Sequence, residues 1–247
     1  MLEGRRIAVV IPAHNEATLI RGVLEGVPSF VDHIIVIDDA SNDATATIAR
    51  GADRRIEVIV HETNRGVGAA IASGCRCALT LGADLTAVMA ADGQMDPDDL
   101  PALLAPLIAG EADYAKGNRL AWPAVRKSMP WHRWFGNHLL SFATRRAIGM
   151  RIEDSQCGYA AINRATQAVI DWDRLWEGYG YPNDLLSHLT LRGSRIREVL
   201  VRPVYGREQS GIRLRHVLFN IPFVIARAWL RRWRQRRKLV MQRTRST

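Results

Sequence analysis

Short apolar runs and helix-period segments alternate through the first half of the 247-residue chain. Residues 7–13 (IAVVIPA), 33–38 (HIIVID), 56–61 (IEVIVH) and 85–90 (LTAVMA) read as strands, each an apolar run bounded by turn-forming residues. Helical patterns follow them at about 17–26, 44–50, 67–81 and 98–109. Unbroken Val/Ile runs alternating with helices predict an α/β fold whose parallel sheet is covered on both faces. Ligands of such sheets bind beyond the carboxyl ends of the strands.

The polar residues gather at those ends. Pro12-Ala13-His14-Asn15-Glu16 follows the first strand, and Asp38-Asp39-Ala40-Ser41-Asn42-Asp43 follows the second. Asn64-Arg65-Gly66-Val67-Gly68 opens the third helix, and Ala91-Asp92-Gly93-Gln94-Met95-Asp96 follows the fourth strand. Asp, Asn and Gly also make ordinary turns and helix caps, and Asp43 before Ala44 reads as one. Four such clusters on one sheet edge point beyond turn chemistry to a ligand site.

In this order and spacing the segments resemble the family 2 glycosyltransferases of the GT-A fold, above all the polyprenyl-phosphate (dolichol-phosphate) sugar synthases. IPAHNE is similar to the family's opening PxxNE, VIDDASNDAT to its nucleotide-binding DDxSxDxT, and NRGVGAAIASG to its N-x-G-x-G-x-A run. MAADGQMDP resembles its Asp-x-Asp-x-Gln metal loop, and Asp154-Ser155-Gln156-Cys157-Gly158-Tyr159 its DxxCGF stretch. The likeness spans about residues 7–210. It implies a Rossmann-like, mostly parallel central sheet with helices on both faces over residues 1–211.

The resemblance implies a nucleotide-sugar site formed by Pro12, Ala13, Asn15, Glu16, Asp39, Arg65, Gly68, Ala91 and Asp92. Pro12, Glu16 and Asp39 would face the base and ribose, where carboxylates accept hydrogen bonds from N–H and hydroxyl groups. Asp92 and Gln94 would hold Mg²⁺ or Mn²⁺ against the diphosphate, since a hard cation takes oxygen ligands. The first Asp of the usual metal loop is Ala90 here, so binding should lean on the diphosphate itself. Arg119, and Arg133 with Asn137 one helical turn on, would face an acceptor phosphate, for which the arginine fork is suited. A solvated surface charge is the plainer reading of Arg133. Asp184 would lie near the acceptor, as general base toward a sugar hydroxyl or as a positioning group toward a phosphate, and is otherwise an N-cap. Asp92, Asp184 and Arg119 form the expected catalytic set. The stretch 204–211 would close over the donor, with Arg207 toward the diphosphate.

Charge changes the picture at one end only. From Arg213 onward there are 11 lysines and arginines and no acidic residue, leaving 23 basic against 25 acidic residues elsewhere. A near-neutral body gives no groove for a nucleic acid, so no nucleic-acid partner is expected. On a helical projection Arg213, His216, Asn220, Arg227, Arg231 and Arg234 share one face, with Ile221, Val224, Ile225, Ala228 and Trp229 opposite. Such a segment predicts an interfacial helix and tail over 212–247, touching a membrane surface through 213–237, with Trp131-His-Arg-Trp-Phe as a second contact. A helix docked on the body explains the pattern equally. Three cysteines and no leader pattern predict reduced thiols in a protein peripheral on the cytoplasmic face of the membrane. The expected reaction is inverting transfer of a sugar from a UDP- or GDP-sugar to a polyprenyl phosphate, with a saccharide or glycolipid hydroxyl as the other acceptor.

Overall fold

A computed structural model describes residues 1–204 and 219–243. Arg207, and Arg213 and His216 of the basic stripe, lie outside the described residues.

The chain runs β1 (Ile7–Ala13), α1 (Ile20–Gly26), β2 (His33–Asp38), α2 (Thr45–Arg50), β3 (Ile56–Val60), α3 (Val67–Thr80), β4 (Leu85–Val88) and α4 (Leu100–Ile108). There follow β5 (Tyr114–Asn118), α5 (Val125–Ser128), α6 (Trp131–Ile148), β6 (Ala160–Asn163), α7 (Arg164–Ala168), α8 (Tyr181–Leu191), β7 (Ile196–Leu200) and α9 (Ile221–Arg243). One seven-stranded sheet has the order β3-β2-β1-β4-β6-β5-β7. β1 pairs in parallel with β2 and β4, which brings the ends of those three strands to one edge.

Alternation along β1 shows why its run is apolar throughout. Ile7, Val9 and Ile11 pack with Ile20, Leu24, Leu100 and Leu104 of α1 and α4. Ala8 and Val10 pack on the opposite face with Ala70 and Ala78 of α3. A strand buried on both faces has no polar position to offer. Gly74 fits this packing closely, for a Cβ there would meet Val10 Cγ1 at 2.2 Å.

The sheet is mostly parallel, as expected, with β6 antiparallel between β4 and β5. The tail helix lies on the body. α9 packs against α6 and α8, and Ile221, Val224, Ile225 and Ala228 are buried there. Arg227 donates to the Arg174 carbonyl, Arg232 to that of Arg146, and Gln235 to that of Leu191. The latter two carbonyls lie in the last turns of α6 and α8, where cations are favoured. The inner face of α9 is thus docked on the body, and Arg227 and Arg231 of the polar face contact protein.

Candidate active site

The loops after β1 and β2 are stitched into one platform. Ala13 accepts the Asp39 amide at 2.8 Å. His14 Nδ1 donates to the Asp39 carbonyl at 2.8 Å, leaving Nε2 to accept from Asn15 Nδ2 at 3.1 Å. Asn15 accepts the Asn42 amide, and Ser41 accepts that of Asn15. Asp43 accepts the Thr45 amide as a capping residue would, and its other oxygen takes the Ala17 amide. Asn15 and Ala40 hold φ of 58° and 57°. Asn visits this left-handed region readily; alanine does so at a cost in strain, of the kind that gathers at functional sites.

Asp39 itself is turned inward. It is buried, and its oxygens accept from His61 Nδ1 (2.7 Å), the Arg65 amide (2.9 Å) and the Gly66 amide (2.6 Å). Asp39 thereby holds the Arg65-Gly66 turn against β2 and β3. Gly68 is tied down as well. Its amide donates to the Glu177 carbonyl at 2.6 Å, so chain backbone covers the start of α3. Arg65 reaches outward, half-exposed, with Glu177 at 3.7 Å.

Glu16 and Asp92 follow β1 and β4, whose parallel pairing brings them to the same sheet edge. Glu16 is pushed up to about 7, first by partial burial, then by the charges of Asp92 and Asp43. Pro12 and Ala13 are buried beside them in β1, and Ala91 is buried beneath the Asp92 turn. Asp92 accepts the Gln94 amide at 3.0 Å, while the Ala90 amide lies 3.2 Å from the Met95 sulfur. Asp96 is tied to Arg202 at 3.2 Å. Tyr179 joins the group: its phenol is raised by burial, then by Asp92 and Glu16. Sequence reasoning missed it, because an aromatic in WEGYGY carries neither a period nor a turn signal.

The raised Glu16 has a consequence for stability. Between its ordinary value of 4.5 and about 7 the folded protein keeps a proton that the unfolded chain has released. Stability therefore falls as pH rises through that window, with no penalty below it and the full penalty above. Melting curves at pH 5 and pH 8 in chelating buffer should show a smaller loss for Glu16→Gln than for the parent protein. Parallel losses would mean that the surroundings of Glu16 do not hold its carboxyl up.

The far side of the site is built on Asp154, which is wholly buried. Arg119 Nε and a terminal nitrogen donate to its two oxygens at 2.8 and 3.0 Å. The fork expected to face an acceptor phosphate thus closes on Asp154, as burying a carboxylate requires a partner. Asp154 also accepts the Gln156 and Cys157 amides, and buried Lys116 donates to the Cys157 carbonyl. Arg133 and Asn137 lie one turn apart on α6, both half-buried. Arg133 makes no ion pair among the described residues, and Asn137 donates to the Met129 sulfur at 3.6 Å.

Asp184 sits in the first turn of α8, wholly buried, so it does not cap that helix. It accepts the Trp176 amide at 3.0 Å and Arg231 at 2.5 Å, with His188 at 3.7 Å. Burial alone would raise its carboxyl, but His188 and Arg231 outweigh burial and hold it below the ordinary range. Among the described residues no group of three or more His, Cys, Asp or Glu is placed to hold a metal ion. Cys75, Cys77 and Cys157 are free thiols, as expected.

Comparison with known proteins gives the family. A family model described as "Glycosyl transferase family 2" matches residues 8–167. The UDP-N-acetylglucosamine–dolichyl-phosphate N-acetylglucosaminyltransferase of Methanococcus voltae is 31% identical over 81% of this chain and 86% of its own. The polyprenol monophosphomannose synthase of Mycolicibacterium smegmatis is 30% identical over 88% of this chain and 86% of its own. Among solved structures, the glucosyl-3-phosphoglycerate synthase of Mycobacterium tuberculosis in complex with Mn²⁺, UDP and glucosyl-3-phosphoglycerate superposes with a TM-score of 0.70 at 22% identity. That match covers 91% of this chain and 80% of the other, and it bears on the fold. The carboxylates at the ends of β1 and β4 thus stand in a GT-A fold, and the chain belongs to glycosyl transferase family 2 and is a glycosyltransferase.

Proposed function

We propose that the protein moves a sugar, with inversion, from a UDP- or GDP-sugar to a polyprenyl phosphate at a membrane surface. The observation that carries this reading is that parallel pairing of β1 with β4 brings the loops bearing Glu16 and Asp92 to one sheet edge, near enough for the charge of Asp92 to help raise Glu16. Two carboxylates whose charges interact in a partly buried site favour a cation or a hydrogen-bond donor near them. Asp92 and the Gln94 side-chain oxygen fit a hard cation, Mg²⁺ or Mn²⁺. So few protein oxygens suit an ion that takes most of its ligands from a diphosphate and water. Such an ion, once bound, neutralises charge on the departing nucleotide diphosphate. Glu16, Asn15 and Arg65 line the donor side, with half-buried Tyr179 near enough to feel the charges of Asp92 and Glu16. The homologues named for dolichyl, undecaprenyl and polyprenol phosphates support the acceptor class.

Asp184 separates the two acceptors. A general base works best with a pKa near the operating pH, whereas Asp184 is buried, paired with Arg231 and held low. A phosphate monoester, with its second pKa near ~6, is already ionised and needs no base. This favours the phosphate. Arg133 of α6 receives it in this reading, with Asn137 beside it, while Arg119 holds the Asp154 turn behind them.

The membrane side rests on where the apolar surface lies. Among the described residues, 10 of the 14 exposed large apolar side chains lie on α6, on α9 or at Phe219. Trp131, Phe135, Leu139 and Phe142 follow a helical period on α6, and Phe223, Leu230 and Trp233 extend from α9. Residues 114–152 carry eight lysines and arginines and 219–243 another eight, with no Asp or Glu in either segment. Aromatic and basic side chains together suit the headgroup layer of an anionic leaflet. Among the described residues no helix is long and apolar enough to cross a membrane.

The test is incubation of purified protein with a polyprenyl phosphate in anionic vesicles, a panel of UDP- and GDP-sugars, and Mg²⁺ or Mn²⁺, with the lipid read by mass. A sugar-phosphate lipid from one donor is expected. Transfer only to saccharide or glycolipid hydroxyls would sink the phosphate reading. Trp131→Ser with Phe135→Ser should weaken cosedimentation with those vesicles, and unchanged cosedimentation would remove α6 from the surface.

A further inference from the structure

Arg231 is where α9 enters the polar interior. Its guanidinium lies 2.5 Å from Asp184, with the carboxylate wholly buried and the arginine side chain 20% exposed. The other Asp184 oxygen accepts the Trp176 amide at 3.0 Å. From Trp176 the chain passes over the start of α3, where the Glu177 carbonyl accepts the Gly68 amide at 2.6 Å and the Ala69 amide at 3.2 Å. The fit there is close: a Cβ on Gly68 would stand 2.0 Å from the Trp176 carbonyl, and one on Gly66 2.7 Å from that of Glu177. Phe223 of α9 adds a second hold on the same loop, its ring 5.7 Å from that of Trp176.

We propose that Arg231 is a positioning residue of the donor site, holding the 176–179 loop in place through Asp184 and with it the start of α3 and Tyr179. The C-terminal helix is then part of the active site as well as a surface element. The four apolar side chains Ile221, Val224, Ile225 and Ala228 already dock α9, and a buried ion pair adds little stability over an apolar pair of similar size. What the pair supplies is direction. Once Arg231 is removed, the buried Asp184 carboxylate keeps only the Trp176 amide and the more distant His188, and the loop shifts to bring it water. Arg65, which donates through its amide to Asp39 and faces Glu177, would move with that loop.

The inference rests on the donor-site reading, so the test includes a measurement that does not. Hydrogen exchange of the full-length protein reads the amides of Gly68, Ala69 and Trp176 directly. Titration with UDP and with GDP, each with Mg²⁺, reads the site, and both are done without membranes. Arg231→Met is expected to speed exchange at those three amides and weaken nucleotide binding roughly 10- to 100-fold, the scale of a displacement relayed to a binding site. Arg231→Lys should recover part of the affinity. Arg236→Met, on an exposed position of the same helix, should match the parent protein in both.

Arg231→Met behaving like Arg236→Met would overturn the proposal. Should Arg231→Met fail to fold, the double variant Arg231→Met, Asp184→Leu removes both charges and restores the helix packing. The proposal requires exchange at the three amides to stay fast in that protein while its Tm recovers. Recovery of both would make the pair a prop of the fold alone and overturn it. A parent protein that binds neither nucleotide defeats the donor-site reading, and the exchange data still decide the part played by Arg231.

Discussion

Replacing Asp92 by asparagine is expected to lower kcat/KM for sugar transfer by about a thousandfold or more, while Tm stays within a few degrees of the parent value. The fold has little at stake. Asp92 stands half-exposed in a tight turn and accepts the Gln94 amide, a bond that an asparagine carbonyl also accepts. The chemistry has a great deal at stake. Asparagine offers a hard cation a neutral oxygen in place of a charged one, and the nearby carboxylates do not compensate, since Ala90 stands two residues before it and Asp96 is tied to Arg202. Glu16 should respond as well, because Asp92 contributes to its raised pKa. The variant therefore flattens the loss of stability between pH 5 and pH 8 along with the activity. Steady-state transfer assays and melting curves on the same preparation check both halves. Turnover near the parent value with normal folding would remove Asp92 from the cation site.

How far the chain could be read follows from which forces are local. The first four strands were legible because burial on both faces demands an unbroken apolar run, and β1 and β2 have the predicted bounds. β6 was not, because Ala160-Ala-Ile-Asn163 is short, largely alanine, and pairs antiparallel with partners distant in sequence. The polar clusters stand after the strand ends where they were expected, yet residue type does not give side-chain direction. Asp39 lies in the expected loop and points inward to His61, Arg65 and Gly66. Arg119 lies at the expected strand end and closes on Asp154, 35 residues away. Amphipathicity in the tail identified Ile221, Val224, Ile225 and Ala228 as an apolar face, though Trp229 is exposed, and a hydrophobic face does not name what covers it. The ion pair between Arg231 and Asp184 spans 47 residues, and no spacing rule reaches that far.

The second large effect is one of shape, at Gly68. In an ordinary helix, glycine to alanine gains about 1 kcal/mol, as alanine restricts the unfolded chain and favours helical geometry. Gly22 in α1 is such a position, since an added Cβ there meets nothing within 4 Å. At Gly68 the same methyl group would stand 2.0 Å from the Trp176 carbonyl oxygen and 2.9 Å from that of Glu177. These are backbone atoms, which cannot turn aside as a side-chain tip can. The Gly68 amide holds the Glu177 carbonyl at 2.6 Å, so relieving the clash means surrendering that bond and lifting the loop. Overpacking of this kind costs about 2–4 kcal/mol, a fall in Tm of roughly 5–15 °C for a protein of this size. Gly68→Ala should therefore melt well below the parent protein and bind nucleotide weakly, while Gly22→Ala melts at or slightly above it. If the two variants melted together, the 176–178 loop would not lie on α3, and the path from the C-terminal helix to the donor site would be broken at its middle link.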